Sequence, residues 1–592
     1  MNFKKKLLIL LFVTALTNMG VAQTTYYVNQ QTGSNTNNGL STGNPFKTVE
    51  KAVTVLSAGD TLLIMGVYAN ASYNPTYSYS GNINDPQIWH QENTIRINNL
   101  NGTAGNYITI KPYDSNTVLK GDGANILRVT NCSYLKFEGL EIMGEVDRIP
   151  YSTARALQFL YREDPSTNTL YRVPFGTTDA EVEQNYSQPG SLPDISNISV
   201  SRPSYTDTRG LYMSRVHHID ITNLKVHHTP GNGFRVADCD YINIIGNEVY
   251  ATSRKSFSGT HGMVVTNANS SVQGFLDTNP GYRINILNNK VHHNYNEIYS
   301  WAPDKTLITP KIDEGKGISL QRNDLANGWN YGRFLVANNL AYWNGYSGIH
   351  SNSGLRMDFI NNTCYMNSYT NSITNLGGEQ SGNNIGMSTS GNNSDDFKFI
   401  NNIIFIDNAW GGFPISIAET TNVVVSNNLV FGINGSLNQD SDATSIQTNM
   451  YFINPKFVNA GDELAVSHDF GLQSSSEAIG KANKDIAPTT DYFGKTRDGQ
   501  PDLGAIEYFP SLGTNDNAIS KFNVYPNPVK DYIYMDGIEN INTVEVYNIA
   551  GQKLLSNRIT SEDSNSGINL SSLSSGIYFL KVNSDTFKIV KQ

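Results

Sequence analysis

The sequence predicts an all-β protein: a right-handed parallel β-helix, a solenoid of short stacked strands, followed by a small C-terminal β-sandwich. Three observations carry this. Only 16% of the 592 residues are charged, while Gly (50) and Tyr (33) are abundant, a composition suited to short strands and turns rather than long helices. One theme, apolar strand, polar turn, apolar strand, Asn-rich turn, recurs at roughly 20 to 40 residues between about residues 104 and 435. Beyond it the repeats fade, and a separate set of short strands occupies the end of the chain.

The N-terminus reads Met1-Asn2-Phe3-Lys4-Lys5-Lys6, then an apolar run from Leu7 to Leu16, then Gly20-Val21-Ala22: a signal peptide over residues 1–22. The run is well short of the ~20 residues a spanning helix needs, and no other segment is long and apolar enough, so no membrane span is expected. The expected domains are therefore 1–22 signal peptide, 23–510 β-helix and 511–592 C-terminal module. A net charge of −10 lacks the concentrated basic face that a nucleic-acid partner requires. Cys132, Cys239 and Cys364 cannot all pair, and no CxxC spacing is present; they read as buried thiols in equivalent turns of a repeat.

Tyr26-Tyr27-Val28, then Asn44-Pro45-Phe46-Lys47-Thr48-Val49, then Gly59-Asp60-Thr61-Leu62 read as strand, turn, short helix and strand. This segment resembles the N-terminal cap of secreted parallel β-helix proteins, among them polysaccharide lyases and glycosidases, and the resemblance implies a short amphipathic helix over the open end of the solenoid. In the repeats that follow, as in Tyr241-Ile242-Asn243-Ile244-Ile245-Gly246-Asn247, alternation sends the aliphatic side chains inward. Asn247, Asn289, Asn362, Asn402 and Asn428 mark equivalent turns and are expected to stack as a buried ladder. A β-propeller would want longer blades with aromatic signatures, which are not seen. Residues 147–208 and 294–314 break the rhythm and are expected to protrude as loops.

Asp469-Phe470-Gly471-Leu472 and the run from Arg497 to Glu507 resemble the closing segment of such proteins, where a final strand finishes the solenoid. Tyr525-Pro526-Asn527-Pro528, Asn548-Ile549-Ala550-Gly551-Gln552 and Gly576-Ile577-Tyr578 are together similar to the type A C-terminal sorting domain of the type IX secretion system of Bacteroidetes. That resemblance implies secretion or surface attachment, with the secretion machinery as a partner.

The chemistry is sought on one outer sheet face. Five coils start alike: Gly210-Leu211-Tyr212, Gly233-Phe234-Arg235, Gly262-Met263-Val264, Gly317-Ile318-Ser319 and Gly348-Ile349-His350. If the apolar residue after each glycine points inward, alternation places Tyr212, Arg235, Val264, Ser319 and His350 outward in one groove. The turns before these strands hold His227-His228, Arg254-Lys255, His261, His292-His293, Tyr295, Glu297 and Asp313-Glu314-Gly315-Lys316, and eight of the ten histidines fall between His217 and His350.

Such a set suits β-elimination on a uronic-acid polymer, which needs a neutralised carboxylate and a base within hydrogen-bond reach. Lys255, Lys316, Arg235, His261, Glu314 and His350 are the expected catalytic residues: Arg235 with Arg254 for the carboxylate, Lys255 or Lys316 as base, His261 or His350 at the leaving oxygen. Arg254, Tyr212, His228, Gln321 and Trp301 are expected to bind substrate. Calcium often neutralises the carboxylate in lyases of this fold, and Asp313 with Glu314 are its candidate ligands, although the denser Asp cluster of the pectate-lyase-like families is missing. A glycoside hydrolase using two carboxylates drawn from Glu314, Asp313, Glu297 and Asp238 and a non-catalytic glycan-binding or adhesive solenoid are the alternatives. The expected partner is an anionic polysaccharide, and the chain is expected to act as a monomer.

Overall fold

A computed structural model of the chain describes residues 23–70, 92–156, 159–164, 169–174, 180, 206–256, 258–298, 314–368, 384–406, 412–432, 437–510, 523–536, 544–548, 551–557, 567–582 and 585–592. The signal-peptide expectation, Trp301, Asp313 and most of the two expected loops lie outside them. The chain separates into two compact units, residues 1–508 and 509–592.

The first unit is the predicted right-handed parallel β-helix. Its coils join in one 18-stranded and one 10-stranded sheet of parallel strands; two antiparallel pairs, Phe159–Asp164 with Thr169–Pro174 and Phe457–Asn459 with Asp469–Leu472, stand outside them. A typical coil begins with a long strand such as Arg209–Thr222, Phe234–Ile245 or Ile349–Ile360 and continues into a three-residue strand such as Lys225–His227, Glu248–Tyr250 or Thr363–Tyr365. Each long strand turns a corner and so supplies two faces. The corner is built from residues in the left-handed region at matching rungs: Asn131 and Tyr134, Arg215 and His218, Asp238 and Tyr241, Ser353 and Arg356. Such backbone is unfavourable for non-glycine residues; it persists because the core on either side, including Leu211, Met213, Val216 and Ile219, stacks coil on coil. At the N-terminal end the helix Val49–Val53 caps the solenoid as expected, with the Thr48 hydroxyl accepting the Lys51 N–H at 3.2 Å and Val49 and Ala52 buried.

The asparagine ladder forms, and it has one more member than the sequence suggested. Side-chain amides link Asn247 to Asn289, Asn339, Asn362, Asn402 and Asn428 in steps of 2.9 to 3.1 Å. A second ladder, missed in the sequence, runs Thr252, Asn294, Asn344, Asn367 at the next turn. Asn362 donates to the Val336 carbonyl and accepts the Asn339 backbone N–H, so its removal orphans buried groups above and below. Asn362→Ala is expected to cost about 2–4 kcal/mol, read as a lowered denaturant midpoint.

The segment after residue 437 corrects the expectation of a terminal strand that finishes the solenoid. The coils end at Ser445–Thr448, and the chain then folds back along the outside. Its backbone carbonyls at Lys481, Asn483, Asp502 and Thr490 accept amides from Asn427, Asn401, Asn361 and Asn338. The physical reason is apolar: the outer face of the three-residue strands carries Tyr342, Tyr365, Phe405 and Phe431, and Phe457, Phe470 and Leu472 of the returning chain pack against it. Burial of those rings outweighs extension of the sheet. The three cysteines are buried and free, as read; Cys132 and Cys239 occupy equivalent rungs, whereas Cys364 lies in the three-residue strand Thr363–Tyr365 and not in an equivalent turn.

The second unit is antiparallel. Asn523–Tyr525, Tyr532–Asp536 and Ile568–Asn569 form one sheet; Val544–Asn548, Lys553–Asn557, Gly576–Val582 and Asp585–Lys591 form another. Val529, Ile533, Val546, Leu580 and Ile589 make the core, with the two sheets set as the predicted sandwich.

Candidate active site

Strand register brings the five expected groove residues together. Tyr212, Arg235, Val264, Ser319 and His350 occupy successive rungs of one column on the face away from the core residues Leu211, Phe234, Met263, Ile318 and Ile349. Of the five, Tyr212 and Arg235 are half-buried, whereas Val264, Ser319 and His350 are buried beneath neighbouring chain, a correction to the expected open groove. The glycine before each strand is set by close approach of the coils: a Cβ on Gly317 would stand 2.6 Å from the Gly348 carbonyl oxygen. The column continues to Arg128 and Arg96 on one side and to Ser388 and Ser416 on the other.

One end of the column is cationic. Arg209 and Arg322 lie beside Arg235, and burial together with these neighbours pulls its guanidinium below the ordinary arginine range. The Arg209 guanidinium sits over the Tyr212 ring at 5.6 Å, and its buried Nε has no partner. Among the described residues no carboxylate forms an ion pair with Arg96, Arg128, Arg209, Arg235 or Arg322. Unpaired, crowded guanidinium groups are held at an electrostatic cost that an anion relieves.

The other end is a buried polar cluster. The Lys316 backbone N–H donates to His261 Nδ1 at 3.3 Å, and His261 Nε2 lies 3.5 Å from Glu314 Oε2 and 2.9 Å from the Gln321 amide nitrogen. Glu314 pairs with Lys316 Nζ at 2.7 Å, and that ammonium lies 4.8 Å from the centre of the Tyr346 ring. His350 Nδ1 meets the Ser388 hydroxyl at 2.8 Å. Burial first, then the charges of Lys316 and His261, hold the His350 imidazole well below its ordinary value, so it is neutral at neutral pH.

Arg254, Lys255 and His228 form a separate ion-pair network in the preceding turn. Lys255 bonds Glu297; Arg254 bonds the Tyr295 hydroxyl and lies 3.6 Å from Glu297 and 3.8 Å from Asp147; His228 is 3.3 Å from Asp147. Asp238 is at the far corner, hydrogen-bonded by Asn269, a strand length away from the turn that holds Glu297 and Glu314. For calcium, the described residues contain no group of three or more His, Cys, Asp or Glu side chains able to hold a metal. Glu314 already faces an ammonium, so it does not by itself fit a Ca²⁺ ligand set, and Asp313 is outside the described residues.

Sequence reasoning missed Arg96, Arg128, Arg209, Arg322, Tyr346 and Ser388. Ser388 was within reach, because Gly386-Met387-Ser388 repeats the glycine-apolar start of the other coils. Arg322 carries no such signal, since it sits in the left-handed region itself, where the alternation of its strand breaks.

Residues 523–592 match the family described as secretion system C-terminal sorting domain. The C-terminal unit is a sorting domain. The protein is therefore secreted or held at the cell surface, and the sorting domain implies the type IX secretion machinery as a partner. In the described residues no helix is long and apolar enough to cross a membrane. No curated protein matches the sequence. Among solved structures the chain is similar to pectate lyase Pel9A, at 15% identity and TM-score 0.41 over 83% of this chain and 98% of that one. It is also similar to the GH136 lacto-N-biosidase from Eubacterium ramulus (12%, TM-score 0.34, 76% and 71%) and to the A-module of Azotobacter vinelandii mannuronan C-5 epimerase AlgE4 (14%, TM-score 0.33, 67% and 87%). These likenesses concern the parallel β-helix.

Proposed function

We propose that the protein is an extracellular polysaccharide lyase that binds a uronic-acid polymer along the outward column and cleaves it by β-elimination. The observation that carries this reading is the arginine set at Arg96, Arg128, Arg209, Arg235 and Arg322, without an ion-pair partner among the described residues, leading to His350. The arginines neutralise sugar carboxylates, Arg235 with Arg209 taking the one beside the scissile bond. Neutralisation acidifies the proton α to that carboxylate. A neutral His350, oriented through Nδ1 by Ser388, accepts that proton; the electron pair forms the carbon–carbon double bond, the glycosidic carbon–oxygen bond breaks, and the Lys316 ammonium returns a proton to the leaving oxygen. Glu314 and His261 hold Lys316 in place, and Gln321 and Tyr212 contact sugar hydroxyls. Lys255, Arg254 and His228, tied to Glu297, Tyr295 and Asp147, support the turn that carries the site.

The test is incubation of the full mature chain with alginate, pectate, ulvan and neutral glycans, reading ultraviolet absorbance of the unsaturated product beside new reducing ends. Both signals on an acidic polymer are expected. Reducing ends without absorbance point to hydrolysis, and neither signal points to a binding protein. Arg235→Ala is expected to raise KM by roughly tenfold or more, with the loss of one charge-assisted contact, and to flatten the salt dependence of KM; an unchanged KM removes Arg235 from the groove.

A further inference from the structure

We propose a second carbohydrate site on a different face of the solenoid: a pocket between the returning chain and the three-residue strands that takes a single acidic sugar. The outer column of those strands holds one ring per coil, Tyr342, Tyr365, Phe405 and Phe431 in register. The returning chain closes over Tyr342 through His468 and Phe470, at ring separations of 4.7 and 5.0 Å. Phe470 and Phe457 lie 5.4 and 6.0 Å from the Tyr365 ring, and the Tyr365 hydroxyl donates to the Gly461 carbonyl at 3.1 Å, so the returning chain covers Tyr365 only in part. An open depression of about 270 Å³ remains beside these rings, walled by Tyr365, Phe405 and Phe457 and rimmed by Asn454, Lys456 and Gln473.

The depression is open to solvent, with an aromatic floor and an exposed polar rim. Its rim is a set of hydrogen-bonding groups only partly used. Lys456 Nζ donates to the Ser475 carbonyl at 2.9 Å and keeps two N–H groups; Gln473 Nε2 donates to the Phe457 carbonyl at 2.8 Å and keeps its oxygen; Asn454 Oδ1 accepts the Lys456 N–H at 2.8 Å and keeps its amide donors. Aromatic walls beneath convergent amides are the chemistry that recognises a pyranose, whose C–H face is apolar and whose edge carries hydroxyls. The cation at the rim selects a carboxylate or sulfate substituent. The volume lies just under the ~300 Å³ lower end for ligand pockets, so it admits one sugar or a chain end. The site is an anchor that holds polymer while the outward column works elsewhere, and it stands whether or not that column is a lyase centre.

The probe is sodium D-glucuronate, with D-glucose as the neutral control, titrated into the full mature chain by calorimetry. Glucuronate is expected to bind with a Kd on the order of 1 mM and glucose more weakly. Lys456→Asn, which tolerates the left-handed backbone at this position, is expected to weaken glucuronate roughly tenfold, and Gln473→Ala to weaken both sugars, with unfolding midpoints unchanged. No binding up to the solubility of the salt overturns the proposal. So does binding that survives both rim variants but is lost in Arg128→Ala/Arg235→Ala, which assigns the sugar to the outward column.

Discussion

His350→Asn is expected to lower kcat on a uronic-acid polymer by about 10²–10⁴, the range for removing a general base, with KM little changed. Asparagine keeps a hydrogen bond to Ser388 and fills similar space, so the loss reports proton transfer rather than folding. Because burial and the neighbouring Lys316 and His261 charges hold the imidazole well below 6.5, the wild-type rate should show no base titration between pH 6.5 and 8. Lys316→Met should cut kcat by a similar factor, and Glu314→Gln by less, since it positions the ammonium without touching substrate. Steady-state kinetics across pH settle this: a fully active His350→Asn, or a wild-type profile rising through pH 7 with the shape of an ordinary histidine, removes His350 from the reaction.

The second large effect is loss of stability in mild acid. His217 and His218, His227 and His228, and His292 and His293 form three pairs whose Nδ1 atoms lie 2.7 to 2.9 Å apart. Each contact needs one bare nitrogen, so double protonation breaks it. Burial lowers all six imidazoles, and His217 and His293 fall to about 4. A histidine depressed in the folded state takes up its proton more readily in the unfolded chain, so the stability it provides is complete above 6.5 and is lost as pH falls toward 4. A drop from 6.5 to about 4 is worth on the order of 3 kcal/mol per imidazole at full burial, less for His293, which retains solvent contact. Asp502 acts in the opposite sense: burial raises it to about 6, so its share declines as pH rises through that value. Burial raises Asp240 in the same direction as Asp502; six histidines outweigh these two carboxyls, and the unfolding temperature is expected to fall steeply between pH 6.5 and 4. His217→Phe, which keeps a ring against Phe275, should remove part of that slope; a flat profile for the wild type would contradict the assignment.

How far the site could be read in advance depended on which residues carry a periodic signal. Leu211, Phe234, Met263, Ile318 and Ile349 alternate with their neighbours and follow a glycine, so the outward column was readable coil by coil, as far as His350. The same alternation placed Asn247 through Asn428 in a ladder. It failed at Asn339, which belongs to a coil not used to define the pattern, and at Asn294, Asn344 and Asn367, whose spacing is interrupted by turns of unequal length. Lys255 and Lys316 looked equivalent because both follow charged or polar neighbours in a turn; only the fold puts Glu297 against one and Glu314, His261 and Tyr346 around the other.

The sequence by itself determined that strands would stack into a solenoid, which residues face its core, where its N-terminal cap lies, and that the last strands form a separate sorting module. These are local properties, written in periods of two and in turn residues that repeat. Only the tertiary structure decided that the chain beyond the coils returns along the ring-lined face, that five arginines have no carboxylate partner among the described residues, and that His350 is neutral. Each of those depends on groups brought together from coils tens of residues apart, where burial and charge are sums over neighbours that no single stretch of sequence contains.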